Sequence, residues 1–372
     1  MKTTLIFSNQ LLLAISLALA PAAMASNTWY VNGVHGSNKN DCKSPEQACK
    51  TIGHAISLAA SGDTIRVAAA TYAEHLTVPV SLTIVGANAR TTIIDAKSSG
   101  TVIGIFSAGL RVTLASLTIR GGSGGGVSNA GTLTTTNCTI SGNRGRLGGG
   151  VYNAGTLRIF DTTINGNSAI FGGGIANGGT LELVNSTIEG NAAAGYVVSG
   201  GHFQPPQGGG IDNFGTSTIS NTTIANNAAI FTPPVGPCHI FGPCYVSGMD
   251  IAGPMTIENS IVANAVYPDG FNCNGVVNSK GYNLSSDGTC DFNGPGDMNN
   301  TDPRLGPLQN NGGPTETIAE LEGSLTIDAG NPSGCRDSQG HLLKTDQRGY
   351  PRPGKYKHDH RCDMGAYESQ TD

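Results

Sequence analysis

From Gly124 onward one phrase keeps returning: Gly-Gly-Gly, an apolar residue, a polar residue, Asn, a Gly-Thr step, an alternating run, then Thr-Ile and Gly-Asn. It reads GGGVSNAGTLTTTNCTISGN from Gly124, GGGVYNAGTLRIFDTTINGN from Gly148 and GGGIANGGTLELVNSTIEGN from Gly172. Looser copies follow as GGGIDNFGTSTISNTTIANN from Gly208 and GMDIAGPMTIENSIVAN from Gly248. Val127 to Val151 and Val151 to Ile175 are each 24 residues, Ile175 to Ile211 is 36, and Ile211 to Met249 is 38. A period of this size means supersecondary units stacked one on the next, so that residues distant in the chain become neighbours.

Within each copy the residues after Gly-Thr alternate with period two, the pattern of a strand with one buried face. Leu157 and Ile159 are expected inward, with Arg158 and Phe160 outward. The corresponding inward pairs are Leu133 and Thr135, Leu181 and Leu183, Ser217 and Ile219, and Met255 and Ile257. A second strand ends at Ile140, Ile164, Ile188, Ile224 and Val262. Such strands are too short to stand alone. Stacked about 4.8 Å apart they form parallel sheets with like side chains piled on like.

Two columns of asparagine fit the same picture: Asn129, Asn153, Asn177 and Asn213, and Asn137, Asp161, Asn185, Asn221 and Asn259. Asn tolerates a left-handed corner and can bond its counterpart in the next coil. Asn185-Ser-Thr and Asn221-Thr-Thr also have the form of glycosylation acceptors, but stacking explains them better.

Composition agrees. Of 372 residues 54 are Gly and only 13% are charged, which suits a β-rich repeat protein with many tight turns. A net charge of −5 with no basic run argues against a nucleic-acid partner. Lys2, the apolar run from Leu11 to Ala20 and Ala23-Met24-Ala25 form an export signal, with the mature chain starting at Ser26. No segment is long and apolar enough for a transmembrane helix. The protein is therefore expected outside the cytoplasm: extracellular, on the cell surface or in the periplasm. In that setting the spacing of eight of the nine cysteines suggests local staples, Cys42 with Cys49, Cys238 with Cys244, Cys273 with Cys290 and Cys335 with Cys362, although spacing alone does not fix connectivity. Cys138 is left over as a buried, unreactive thiol.

Upstream the period loosens, with strands expected at Thr64–Val67, Leu76–Val78, Leu82–Val85, Thr92–Ile94 and Val112–Leu114. Before them Ser44 as N-cap, Pro45 and Gln47 open a helix whose apolar stripe is Ala48, Ile52, Ala55, Ile56 and Ala59, ending before Gly62. It is placed to cover the open end of a solenoid.

The stretch from Trp29 to Val78 (WYVNGV…CKTIGHAISLAASGDTIRVAAATYAEHLTV) resembles the opening of right-handed parallel β-helix proteins of the pectin-lyase-like superfamily. The Gly-Gly-Gly copies are similar to polymorphic outer-membrane protein repeats. DPRLGPLQNNGGPTETIAELEGSLTIDAG from Asp302, Cys335, DQRG at Asp346 and CDMGAYE at Cys362 resemble the choice-of-anchor Q domain of exported bacterial proteins. These resemblances imply an all-β chain: a right-handed parallel β-helix solenoid with an N-terminal capping helix and a disulfide-stapled C-terminal region. The expected divisions are a signal peptide over 1–25, a strand and capping helix over 26–63, the β-helix over 64–270 and the C-terminal region over 271–372. The Q domain usually precedes a surface-anchoring tail. Here the sequence stops four residues after Glu368 without one, so release, periplasmic retention or non-covalent attachment is expected.

Two insertions break the period at one corner, Ala192 to Gln207 and roughly Ala228 to Ser247. Side by side they concentrate Tyr196, Phe203, Phe231, Phe241 and Tyr245 with His202 and His239, in a chain that is only 6% aromatic. Long loops on a rigid scaffold are where repeat proteins bind ligands. Directly after them come Asp212 and Asp250, expected in equivalent outward places of successive coils and about 5–7 Å apart. Such a pair could serve as general acid and base on a glycosidic bond. The leading function is binding of a polysaccharide or surface glycan, the aromatics stacking on sugar rings while Asp212, Asp250 and the histidines bond hydroxyls. The alternatives are a polysaccharide lyase or glycoside hydrolase, with Asp212, Asp250, His202 and His239 as catalytic candidates, and a spacer without a ligand.

Other features are secondary. Arg158 and Glu182 form a surface pair, and Arg144 and Arg146 lie at a corner that could touch an acidic sugar. Asp287, Asp291, Asn293 and Asp297 are an oxygen-rich stretch that could hold Ca²⁺ but match no calcium motif, so no cofactor is expected. His358 and His360 lack partners at zinc spacing. Polysaccharide lyases of the superfamily carry a Ca²⁺-binding acidic cluster and a basic residue on an outer sheet. That pattern does not map here, since no Arg or Lys lines up beside Asp212 and Asp250.

Overall fold

The computed structural model describes residues 26–197, 203–204, 207–231, 250–265, 271–354 and 361–370. The segment expected as an export signal, the expected Cys238–Cys244 pair, and His358 and His360 lie outside them.

Each coil lays down three short strands in a fixed order, one in each of three parallel sheets. Sheet A has ten strands, from Thr28–Val31 and Asp63–Val67 to Val277–Ser279. Sheet B has nine, from Ala70–Tyr72 to Leu284–Ser285, and sheet C has eight, from Leu76–Thr77 to Cys273–Asn274. The chain is an all-β, right-handed parallel β-helix. The stacked strands continue past residue 270 by one more coil, through Cys273–Asn274, Val277–Ser279 and Leu284–Ser285.

The period-two reading of the strands holds. In sheet A, Ile65, Ile84, Leu114, Thr135, Ile159, Leu183, Ile219 and Ile257 fall on successive rungs of one column, all at most 2% exposed. In sheet B the column is Ile94, Ile119, Ile140, Ile164, Ile188, Ile224 and Val262, each 0% exposed. Burying such a side chain contributes about 1.5–3 kcal/mol, which is what lets strands of three to five residues persist.

Corners are set by single left-handed residues. Between sheets A and B these are Asn137, Asp161, Asn185, Asn221 and Asn259, with φ of 52°, 48°, 52°, 51° and 50°. Asn and Asp enter this region at low cost. Asn185 Nδ2 donates to Asp161 Oδ1 at 2.6 Å and Asn259 Nδ2 to Asn221 Oδ1 at 2.9 Å. Asn185 and Asn221 are 3% and 0% exposed, so both sequons are buried. After sheet C, Asn129, Asn153, Asn177 and Asn213 form an unbroken ladder, Nδ2 to Oδ1 at 2.7, 2.7 and 2.6 Å.

A third ladder was hidden in the Gly-Asn that closes each repeat. Asn143, Asn167 and Asn191 each donate a backbone N–H and Nδ2 to Oδ1 of the asparagine in the next coil, the last of these being Asn227, at 2.9–3.0 Å.

The N-terminal helix is shorter than expected. It spans Ile52–Leu58 with Thr51 as N-cap, Oγ1 accepting from His54 N. Ser44 caps only a turn, accepting from Gln47 N. The helix cannot begin at Pro45 because Cys49 is bridged to Val31 as a strand residue and disulfide-bonded to Cys42. Glu74 then accepts from Ile52 N and Gly53 N, fixing where the helix starts. Cys273–Cys290 and Cys335–Cys362 are also bonded, and these disulfides belong to an oxidising compartment. Cys138 is free and buried, its thiol pushed up to about 11 by burial.

The C-terminal region folds back along the outer face of sheet B. Gln347 Nε2 donates to Thr163 Oγ1 and Thr315 Oγ1, and its Oε1 accepts from Thr187 Oγ1. Ala366 N donates to Thr223 Oγ1, and Arg90 of an early coil donates to Asn310 Oδ1. The DQRG and CDMGAYE motifs are internal supports: Arg348 pairs with buried Asp346, Arg352 with buried Glu368, and Arg348 lies over the rings of Tyr367 and Tyr350. No helix among the described residues is long and apolar enough to cross a membrane.

Candidate functional site

Both insertions leave the corner between sheets B and C, and their roots pair. Ala192–Val197 runs parallel to Ala228–Phe231, with Ala192 opposite Ala228 and Gly195 opposite Phe231. On its other edge Ala192–Val197 pairs with Ser168–Ala169. The first insertion turns back on itself, Tyr196 opposite Gln204 and Val197 opposite Phe203 in antiparallel register. The two loops therefore start from neighbouring strands. Tyr196, Phe203 and Phe231 belong to these strands, but their side chains lie outside the described residues, as do His202, His239, Phe241 and Tyr245 altogether.

Asp212 stands in the coil that follows the first insertion. Its neighbours Ile211 and Asn213 face the core and the asparagine ladder, and it occupies one column of sheet C with Ser128, Tyr152, Ala176 and Ala252. It was expected on an exposed rim. Instead it is 1% exposed, and Oδ2 has no hydrogen-bond partner. Burial alone pushes its carboxyl up to about 7, so it can carry or release a proton near neutrality.

Asp250 is not its counterpart. Ile211 pairs with Ile251, a step of 40 residues, and Asp212 with Ala252. Sheets A and B step by only 38, Ile219 to Ile257 and Ile224 to Val262. Two residues are missing from the corner after Ala252, so equating Ile211 with Met249 misplaced everything just before it. Asp250 lies level with Gly210, whose N–H donates to the Asp250 carbonyl. Its side chain is 0% exposed, and Oδ1 accepts from Asn227 N and Nδ2 at 3.1 and 2.8 Å. Burial raises its pKa well above the ordinary range, against the pull of Asn227, with a smaller push from Asp287. Asp212 does not contribute. The expected carboxylate pair does not form, and Asp250 is a structural acid.

The oxygen-rich stretch is also structural. Asp287 Oδ1 accepts from Thr289 N and Oγ1 and Oδ2 from Asn272 N, while Asp297 Oδ1 accepts from Asn283 N and Oδ2 from Gly294 N. Asp287, Asp291 and Asp297 do not converge. The one grouping of potential metal ligands among the described residues is Cys42, Cys49 and His54, and its two sulfurs are bonded to each other. Arg158 pairs with Glu182 at 3.3 Å, but not as the surface pair expected: Glu182 is buried, and Ser338 of the C-terminal region also donates to it. Arg144 and Arg146 are exposed at the corner between sheets B and C.

No protein-family model matches the chain, and no curated protein matches it. Among solved structures, the pectate lyase Pel9A is similar at 14% identity over 93% of this chain and 97% of that one, with a TM-score of 0.47. A pectin methylesterase from Aspergillus niger matches at 17% identity over 70% of this chain and 86% of its own, TM-score 0.41. Pectin methylesterase PemA from Erwinia chrysanthemi matches at 14% identity over 81% and 87%, TM-score 0.33. These likenesses concern chain path alone.

Proposed function

We propose that this is an exported β-helix protein that binds a polysaccharide or cell-surface glycan at the corner between sheets B and C. The observation that carries the reading is the parallel pairing of the two insertion roots, Ala192–Gly195 with Ala228–Phe231, beside a coil whose Asp212 carboxyl is buried and unpartnered. A rigid base holding two adjacent long loops suits an extended ligand. Tyr196, Phe203, Phe231, Phe241 and Tyr245 would stack on sugar rings, and His202 and His239 would bond hydroxyls. A glycan array tests this. Truncating Phe203, Phe231 or Phe241 to Ala should weaken the signal about tenfold, while Asp250→Asn leaves it unchanged. An empty array, or signal indifferent to all three truncations, removes the reading.

A second reading is a carbohydrate-active enzyme, since Asp212 stands in the coil that follows the first insertion and burial pushes its carboxyl up to about 7. A group so tuned can act as general acid or base. Incubation with plant and bacterial polysaccharides would then release reducing or unsaturated ends. Asp212→Asn should abolish that release while leaving array binding in place, and release that survives the substitution rules the role out.

A further inference from the structure

A separate polar site lies on the outer face of sheet B, in coils that precede the insertions. Lys97 and Ser98 are consecutive non-glycine residues in the left-handed region, φ 54° and 61°. Such a pair is held against its own preference by its surroundings. The turn folds Lys97 back so that its N–H reaches Asp95 Oδ1 at 2.8 Å and its Nζ reaches Asp95 Oδ2 at 3.1 Å. Arg120, the register partner of Asp95 in the next coil, donates Nε to the same Oδ2 at 3.0 Å.

One carboxylate thus holds two cations. The Asp95 side chain is 9% exposed, whereas those of Lys97 and Arg120 are 61% and 44% exposed, so the anion is inside and the cations face out. Gly121, at φ 73°, makes room for it, because a Cβ there would stand 2.5 Å from Asp95 Oδ1. Arg120 Nη1 and Nη2 make no hydrogen bond among the described residues. Together with Ser98, Gly121 and Ser141 these groups line an open cavity of about 440 Å³. Its floor carries one negative charge against two positive ones, in a chain whose net charge is −5. A guanidinium with a free fork, beside an ammonium and already oriented by a buried acid, is complementary to a planar or tetrahedral oxyanion.

We propose that this cavity binds a small oxyanion, a carboxylate or a sulfate group held by the Arg120 fork and the Lys97 ammonium. It differs from the corner site in sheet, residues and ligand charge, so either can fail without the other. The test titrates the ¹⁵N-labelled full chain with glucuronate, sodium sulfate or glucose at constant ionic strength. It follows the Arg120 Nε–Hε resonance, assigned by its loss in Arg120→Gln. The expected result is a saturable shift with at least one anion and none with glucose, and a midpoint raised about tenfold in Lys97→Gln. Saturation by glucuronate alone identifies a carboxylate ligand, by sulfate alone a sulfate group, and by both a site for either. Each substitution removes one of two cations from the buried Asp95, so a somewhat lower thermal melt is expected, and the titration is read well below it, where the variants are folded. No saturable shift with either anion, or an unchanged midpoint in a folded Lys97→Gln, overturns the proposal.

Discussion

Asn227 donates both its backbone N–H and its Nδ2 to one oxygen of Asp250, at 3.1 and 2.8 Å. This repeats the bonding by which Asn143, Asn167 and Asn191 each reach the next coil. Asp250 therefore ends a stack of four buried asparagines. It does so from just ahead of the next sheet C strand, because the corner position that should continue the stack is taken by Ala265. An acid caps a ladder that needs only an acceptor.

The cap has a pH signature. Asp250 Oδ2 is buried without a partner, and burial raises the carboxyl well above its ordinary range. The native state then holds a proton that the unfolded chain has released, so stability falls as pH rises from about 4, the unfolded value. Asp250→Asn keeps the acceptor and removes the titration. It should stabilise the protein by about 1–3 kcal/mol at pH 8, with the gain shrinking toward pH 4. Urea unfolding at several pH values measures this, and a gain independent of pH would contradict it.

Within the same ladder, Asn167 is the more expensive residue to lose. Its Oδ1 accepts from Asn143 N and Nδ2, and its Nδ2 donates to Ile140 O and Asn191 Oδ1. Asn167→Ala strands several buried groups at once and should cost more than about 3 kcal/mol. Asn165, two residues earlier with Oδ1 already unpartnered, should tolerate Ala within about 0.5 kcal/mol. Equal losses in the two variants would mean that the ladder adds nothing specific.

What the sequence made legible was whatever repeats at a constant step. The inward columns, the left-handed corner row and the first asparagine ladder all follow from stacking like on like, and the cysteine pairs 42–49, 273–290 and 335–362 from short separation. Legibility failed where two effects offset each other. The long insertion before Asp250 concealed a two-residue loss after Ala252, so Asp250 seemed to match Asp212 when it matches Gly210. The helix starts later than Ser44–Pro45 suggest because Cys49, already tied to Cys42, is also bridged to Val31, and that bridge has no signature in the local pattern. Gln347 reaches Thr163 from a segment outside the repeat, and Arg120 meets Asp95 in coils where the period has loosened, so no constant step announces either contact.

The docking of the C-terminal region depends on Gln347. Its amide satisfies hydroxyls of Thr163, Thr187 and Thr315, all fully buried or nearly so, and thereby ties a non-repeating segment to two successive coils. Gln347→Ala leaves three buried hydroxyls short of a partner and should cost about 1–3 kcal/mol. The loss should be local. Amide exchange in residues 344–354 and 363–369 should accelerate, while the sheet A strands Thr132–Thr136 and Thr156–Phe160 keep their protection. Uniform acceleration through all coils would show instead that the C-terminal region is integral to the solenoid.

Asp161 sits in the left-handed corner row where other coils place asparagine, under the docked C-terminal region. Burial raises its carboxyl to about 6, opposed by the bond from Asn185 and by Arg352, and assisted by the charge of Asp346. Here too the folded pKa exceeds the unfolded one, near 4. The native state is favoured at low pH, and the advantage disappears as pH climbs through that interval, with no further change above about 7. Asp161→Asn keeps the acceptor for Asn185 and the tolerance for a left-handed φ of 48°. Above pH 7 it should raise stability by about 1–3 kcal/mol, and at pH 4 it should do nothing. Because Asp161 and Asp250 are far apart in the coil stack, the two Asn substitutions should add. The double variant should therefore lose the sum of the two slopes, leaving between pH 5 and 8 only the slope of the other buried acids, Asp212 and Glu320. A parental profile already flat over that range would mean that neither acid is protonated in the folded state.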